Sequence, residues 1–273
     1  MRKTRPLLVG ILSILLVAAV GIAQAETSLL DKIIDRGKIR VGMILTLPPI
    51  ASPDETGKPV GFEPDIAQIL ADTLGVELEI VELTGPSRVP AVAAGKVDIA
   101  IADFTRTLER AKTISFSEVP YMNVGVTFLL PKDSPYNTYE DLKAAGTSLT
   151  IGISRGGTSE QTIPELLPEA KIKRFAEHAD EFLALRTGTV DVISEDSILV
   201  ATQAKMHPEL YKGTGGVYSR EAICAGVPHG DPTWLNWINL FFHELNASGK
   251  THELYTKWFG AEPPPIPSWV AGP

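Results

Sequence analysis

Twice along this chain, short apolar runs of strand type alternate with stretches of helical period, and the second series repeats the plan of the first. Residues 38–43, 76–83 and 97–102 read as strands. Between them a helix opens at Pro64, carries Ile66, Ile69, Leu70 and Leu74 at helical spacing, and stops at Gly75. A shorter helix at 89–94 stops at Gly95. This β-α-β-α-β order commits the backbone to parallel pairing with right-handed crossovers. The nearly continuous apolar centre of 97–102 fits a strand covered on both faces. The series then restarts, with strands at 149–153, 172–175 and 190–193 and helices at 139–145, 158–167, 180–186 and 197–205. No low-complexity linker separates the two α/β units. Residues 124–130 are placed to carry the chain from the first unit to the second, and 217–227 to bring it back.

Composition removes several classes of function. The chain has 273 residues, 44% hydrophobic, enough for a real core and against disorder. Its net charge is −8 and its Lys and Arg are scattered, so it lacks the basic stripe of a nucleic-acid binder. The single cysteine, Cys224, forbids an internal disulfide and a cysteine-built zinc site; it sits in an apolar run and reads as a buried thiol. A short basic head, Met1-Arg2-Lys3-Thr4-Arg5, precedes an uncharged apolar stretch at 7–23 and then Ala23-Gln24-Ala25. Those three parts make a secretory signal cleaved after Ala25, and they place the mature protein in a bacterial periplasm or at the cell exterior, with the periplasm as the expected compartment. The alternative reading of the same stretch is an uncleaved anchor, for which 17 residues is the lower limit of length. Near the end, Asp231 and Pro232 open a helix whose stripe of Trp234, Trp237, Ile238, Phe241, Phe242 and Leu245 reads as core. A Pro-rich tail at 263–267 cannot continue a helix.

Enzymatic motifs are absent: there is no Gly-x-Ser-x-Gly elbow, no Gly-Lys-Ser/Thr phosphate loop and no His-Glu-x-x-His. The five histidines are not at metal-ligand intervals, so no metal and no cofactor is expected. Three loops at strand ends stand out instead. The first carries Asp103, Thr105 and Arg110, with Thr107 as a helix cap that places Arg110 in a first helical turn. An arginine fork, a hydroxyl and free amides suit a small carboxylate, although an ordinary capped helix with a surface arginine reads the same way. The second loop carries Ser154, Gly156, Gly157 and Thr158, where glycines allow close backbone approach. In the third, a strand ends in Glu195-Asp196 at a helix start. Asp196 suits either an N-cap or an ammonium ion across a cleft. All three loops lie at carboxyl ends of strands, where open α/β sheets bind ligands. A carboxylate site in one unit facing an acid in the other describes a receptor for a zwitterion.

These residues resemble the bacterial extracellular solute-binding proteins of the polar amino acid uptake family, family 3, which feed ABC transporters. The resemblance runs over about residues 30–260. It rests on Gly61-Phe62-Glu63-Pro64-Asp65-Ile66-Ala67, Gly95-Lys96-Val97-Asp98, the 105–110 stretch, Phe116-Ser117 with Pro120-Tyr121, Gly157-Thr158, Val190-Asp191 with Asp196, and Lys257-Trp258-Phe259-Gly260. It implies an α/β fold of two lobes, each a mostly parallel sheet flanked by helices, joined by two hinge strands. Residues 26–122 with 221–273 would form one discontinuous lobe, and 123–220 the other. It further implies that Arg110 clamps a ligand carboxylate with Thr105 and the Thr158 loop as donors, and that Asp196 binds the ammonium. The partners implied are an amino acid or related carboxylate and membrane permease subunits, with a monomeric protein and no nucleic acid.

Three departures from the family pattern bear on the ligand. Asp103 stands where Gly or Ser is common. An ionised Asp there would repel a carboxylate by about 4 kcal/mol at 4 Å and an effective dielectric of 20, unless it turns away or pairs with Arg106 or Arg110. Ile44, Leu47 and Ile50 form an apolar stretch where receptors for cationic amino acids often place an acid. Arg88 resembles a position of the acidic-amino-acid branch, against the simpler reading of a solvated arginine at a helix start. A periplasmic dehydratase for prephenate or arogenate is the second reading, with Asp103 or Glu195 as its acid. The position three residues after Asp196, where such an acid is expected, is Leu199.

Overall fold

The structure, a computed structural model, describes residues 27–264. The export segment and the tail beyond Pro264 lie outside the described residues. Two five-stranded sheets organise the rest. In the first, the order is Glu77–Glu82, Lys38–Met43, Ile99–Ala100, Gly226–Val227, Ser115–Phe116. The first three strands are parallel, and the last two join antiparallel to the strands beside them. In the second, the order is Lys171–Phe175, Thr150–Ser154, Val192–Asp196, Val126–Pro131, Tyr211–Gly213, again three parallel strands and then antiparallel neighbours. The α/β expectation therefore holds for both units, each with an antiparallel edge.

Two segments cross between the lobes. Met122–Val124 and Glu221–Ile223 pair antiparallel, with Glu221 opposite Val124. Gly125 lies where the outgoing segment enters the second lobe. A Cβ there would come within 2.1 Å of the Ser219 carbonyl oxygen, so only glycine lets the two crossing segments touch.

Local chemistry fixes the elements. Helix Leu29–Arg36 is capped by the Ser28 hydroxyl and stopped by Gly37 in the left-handed region, φ 66°. Asp231 accepts from the amides of Trp234 at 2.9 Å and Leu29 at 2.5 Å, tying helix Pro232–Ala247 to that first helix. The aromatic stripe is core, as expected: Trp234 is fully buried and its indole donates to the Asp98 carbonyl at 3.0 Å. One continuous core fills the first lobe, and two smaller clusters cover the two faces of the second sheet. Ile198 and Leu199, from helix Ser197–Met206 of the second lobe, are buried against the first lobe's core, so the lobes are closed on one another. One local expectation fails. The stretch after Thr107 is a single 3-10 turn, Arg110–Lys112, with the Thr107 hydroxyl accepting from the Arg110 amide at 3.2 Å.

Candidate functional site

The three singled-out loops converge on one cleft. Arg88, Asp103, Thr105 and Arg110 line it from the first lobe; Ser154, Gly157, Thr158, Ser159, His178, Ser194, Glu195 and Asp196 line it from the second. The opening left between them is about 40 Å³. Two glycines let the lobes touch: a Cβ on Gly85 would sit 2.4 Å from the Arg155 carbonyl oxygen, and one on Gly156 would sit 2.8 Å from the Gly85 backbone.

Positive charge comes from the first lobe. Arg110 donates to the Thr105 carbonyl and, across the cleft, to the Gly156 carbonyl at 2.7 Å. Arg88 is 4% exposed, so the solvated reading is wrong: it begins helix Arg88–Ala93 with its side chain turned inward. It too reaches the Gly156 carbonyl, at 2.9 Å. The two guanidinium groups lie over the buried Phe104 ring, at 4.9 Å for Arg88 and 5.0 Å for Arg110. Burial first, and the second guanidinium next, lower the Arg110 pKa to about 10, which leaves it charged at neutral pH.

Acids face them. Asp196 begins helix Ser197–Met206 yet makes no capping bond, which leaves its carboxyl to the cleft. Burial, and then the charge of Asp103, raise its pKa well above the usual carboxylate range. The Asp103 carboxyl faces it across the cleft, and two buried carboxyls set against one another disfavour both being ionised. Asp103 therefore neither pairs with Arg106 nor turns to solvent. The Arg106 side chain donates elsewhere, to the carbonyls of Ser117 at 3.1 Å and Glu118 at 2.8 Å. Thr105 and Thr158, one from each lobe, both donate to Glu221 of the crossing strand, at 2.9 and 2.7 Å.

Several cleft groups carried no sequence signal. His178 Nδ1 lies 2.8 Å from Glu195 and 3.0 Å from the Ser154 hydroxyl, which also bonds Glu181. His178, Glu181 and Glu195 bring ligating atoms within 4.8 Å of one another. Ser154 and Glu195 meet the same ring nitrogen. A nucleophilic relay needs its hydroxyl and its acid on opposite nitrogens, so this cluster is not built as one. Behind the cleft, fully buried Glu63 accepts from the Asp103 amide and the Tyr121 hydroxyl, both at 2.6 Å. Burial, with the charge of Asp103 second, lifts its pKa to about 8. In the sequence Glu63 reads as an ordinary first-turn acid, and nothing there distinguishes the buried role.

The apolar trio does not line this cleft. Ile44 and Ile50 are fully packed in the first lobe's core, and Leu47 borders a separate groove with Phe182, Leu199 and Tyr211. An apolar stretch that the lobe needs for its own core says nothing of the charge a ligand carries, so the argument against a cationic ligand falls.

The pattern of the bacterial extracellular solute-binding proteins, family 3, matches residues 39–261. The glutamine-binding protein of Geobacillus stearothermophilus is 39% identical over 208 residues, 74% of this chain and 77% of that one. The cyclohexadienyl dehydratase of Pseudomonas aeruginosa is 31% identical over 257 residues, 92% and 93% of the two chains. Among solved structures, an ancestral amino acid-binding protein, a precursor of cyclohexadienyl dehydratase, superposes with a TM-score of 0.78 at 35% identity, over 84% of this chain and 99% of that one. With two α/β lobes, a crossing ribbon and a polar cleft between them, this chain belongs to the bacterial extracellular solute-binding proteins, family 3.

Proposed function

We propose that this chain captures a free amino acid between its lobes and delivers it, outside the cytoplasm, to the permease of an ABC transporter. One observation carries the reading: cations of one lobe and acids of the other line the same closed cleft. The ligand carboxylate takes Arg110, exchanging the neutral Gly156 carbonyl for a charged partner. Its ammonium takes Asp196 and supplies the counter-charge that this buried carboxyl lacks. Each charge-assisted bond is worth about 1.5–3 kcal/mol, and contacts to both lobes are what make closure depend on the ligand.

The test is a thermal-shift panel of the common amino acids on wild type, Arg110→Ala and Asp196→Ala. At least one amino acid should raise the wild-type melting temperature. Both variants should lose that response, with affinity reduced by ~10- to 100-fold. Ligand-dependent melting that survives unchanged in both would defeat the proposal.

The chain acts here as a receptor and not as a dehydratase. Leu199, apolar and buried, occupies the position where the dehydratase acid is expected. Incubation with prephenate or arogenate should yield no aromatic product; turnover would reverse this reading.

A further inference from the structure

Three elements of the second lobe bring polar side chains to one point beside the cleft. His178 and Glu181 come from helix His178–Arg186, Ser154 from the end of strand Thr150–Ser154, and Glu195 from strand Val192–Asp196. His178 Nδ1 lies 2.8 Å from Glu195 Oε1 and 3.0 Å from the Ser154 hydroxyl, which donates to Glu181 Oε2. Gly152 leaves room for the Glu181 side chain: a Cβ there would stand 3.4 Å from its Cγ.

The cluster holds more acid than it can pair. Glu181 is fully buried and Glu195 nearly so. Among the described residues neither forms an ion pair with a lysine or arginine, and the His178 ring is the one base in contact with Glu195. Arg88 and Arg110, which share the cleft, donate to backbone carbonyls instead. The second oxygen of Glu181, Oε1, is buried with no hydrogen-bond partner among the described residues. A proton on this carboxyl does not repair that. On Oε1 it is a donor without an acceptor, and on Oε2 it leaves Oε1 a bare carbonyl. Folded proteins seldom leave such an atom unpaired.

A cation would satisfy the orphan oxygen and the surplus charge together. The ligating atoms of His178, Glu181 and Glu195 lie within 4.8 Å of one another. Donors ~2.1 Å from a tetrahedral zinc ion stand ~3.4 Å apart, so the cluster is near the right size. One imidazole nitrogen and two carboxylate oxygens suit zinc, with a fourth position left free. Calcium and magnesium call for six or more oxygens. The ligands come from a helix and a strand, which is why no histidine interval in the sequence announces them.

We propose that His178, Glu181 and Glu195 bind one divalent cation of the zinc class, with the Ser154 hydroxyl beside it. The site lies wholly in the second lobe and uses neither Arg110 nor Asp196, so it goes beyond the receptor reading and does not depend on it.

Calorimetric titration of the metal-stripped full chain with zinc chloride, without any amino acid, tests it. Wild type should take up one zinc ion per chain and bind magnesium and calcium at least ~100-fold more weakly. Burial, and then the charge of Glu195, raise the Glu181 pKa, so zinc uptake should release a proton and the heat should vary with the buffer's ionisation enthalpy. Glu181→Gln keeps the size of the side chain and removes its charge; His178→Gln removes the ring nitrogen. Each should weaken zinc binding by ~100-fold or more, because even partners outside the coordination shell are worth ~10–100-fold. His252→Gln, at an exposed pair with Glu262 at 3.2 Å, should change nothing. A wild type that takes no zinc or prefers magnesium or calcium would overturn the inference. So would binding that survives both cluster variants or is lost in His252→Gln. None of these results touches the amino acid reading, which the Arg110→Ala and Asp196→Ala melting curves decide.

Discussion

The two lobes share a plan but meet the cleft with opposite chemistry. Each puts a Val-Asp pair just before its central strand, and each such Asp accepts from a backbone amide of the neighbouring parallel strand: Asp98 from Arg40 at 2.7 Å, Asp191 from Thr150 at 2.7 Å. From there they diverge. The first lobe wraps one large core around its sheet and presents Arg88 and Arg110 over a buried ring. The second has two small cores and presents Glu195 and Asp196 with Ser and Thr hydroxyls. Closure thus brings a cationic face onto an acidic one, and the cost of burying each is offset by the other or by a ligand that is itself dipolar.

Each lobe also buries one carboxyl group behind its half of the cleft, Glu63 in the first and Glu181 in the second. Both are held up chiefly by burial, Glu63 at about 8 and Glu181 well above its ordinary value. The sign follows from the proton count. Over the window from 4.5 to about 8, folded Glu63 keeps a proton that the unfolded chain has released, so stability falls as pH rises through that window. The slope is about 1.4 kcal/mol per pH unit, roughly 5 kcal/mol in all. Glu63→Gln should flatten the fall in melting temperature between pH 5 and pH 8, and Glu181→Gln should act in the same direction. A wild-type profile that Glu63→Gln leaves unaltered would break the equivalence of the two lobes.

How much of this was legible in the sequence differs by level. The strand and helix order was, because periods of two and 3.6 are local properties of the chain. Convergence of the three loops was legible too, because strand ends in parallel sheets share one edge. What a side chain faces was not. Ile44 and Ile50 satisfy any apolar pattern, and only the packed lobe shows that they serve its core. Arg88 looks like a solvated helix-start residue until the fold brings the Ala102, Asp103 and Gly156 carbonyls around it. His178 and Glu181 lie three apart on one short helix, at no motif spacing, and acquire meaning only from Ser154 and Glu195 on neighbouring strands.

The paired aspartates separate the lobes more sharply. Asp98 is fully buried and adds ion pairs to Arg36 at 2.5 Å and Arg40 at 2.8 Å. Asp191 is exposed and keeps its backbone bond. Asp98→Ala should cost about 2–3 kcal/mol, held below the full penalty for a broken buried pair because both arginines still reach water. Asp191→Ala should cost about 1 kcal/mol or less. Urea denaturation of the two variants measures the difference. Equal losses would mean that the shared backbone bond, and not the added cations, carries the effect.

The smallest effect belongs to His178, which the second lobe holds against Glu195 at 12% exposure. Burial alone would lower its pKa, but the Glu195 charge and hydrogen bond overcome it and the net direction is upward from 6.5. A raised imidazole pKa gives stability that is full below 6.5 and is lost as pH rises through the folded value. NMR titration of the His178 ring should therefore show a midpoint above 6.5. In Glu195→Gln the acid is gone and burial remains, so the midpoint should drop below 6.5. The direction of that shift tests the acidic character assigned to the second lobe's face: a midpoint unmoved by the substitution would mean that Glu195 holds no net negative charge beside the ring, and the contrast between the two faces would rest on Asp196 alone.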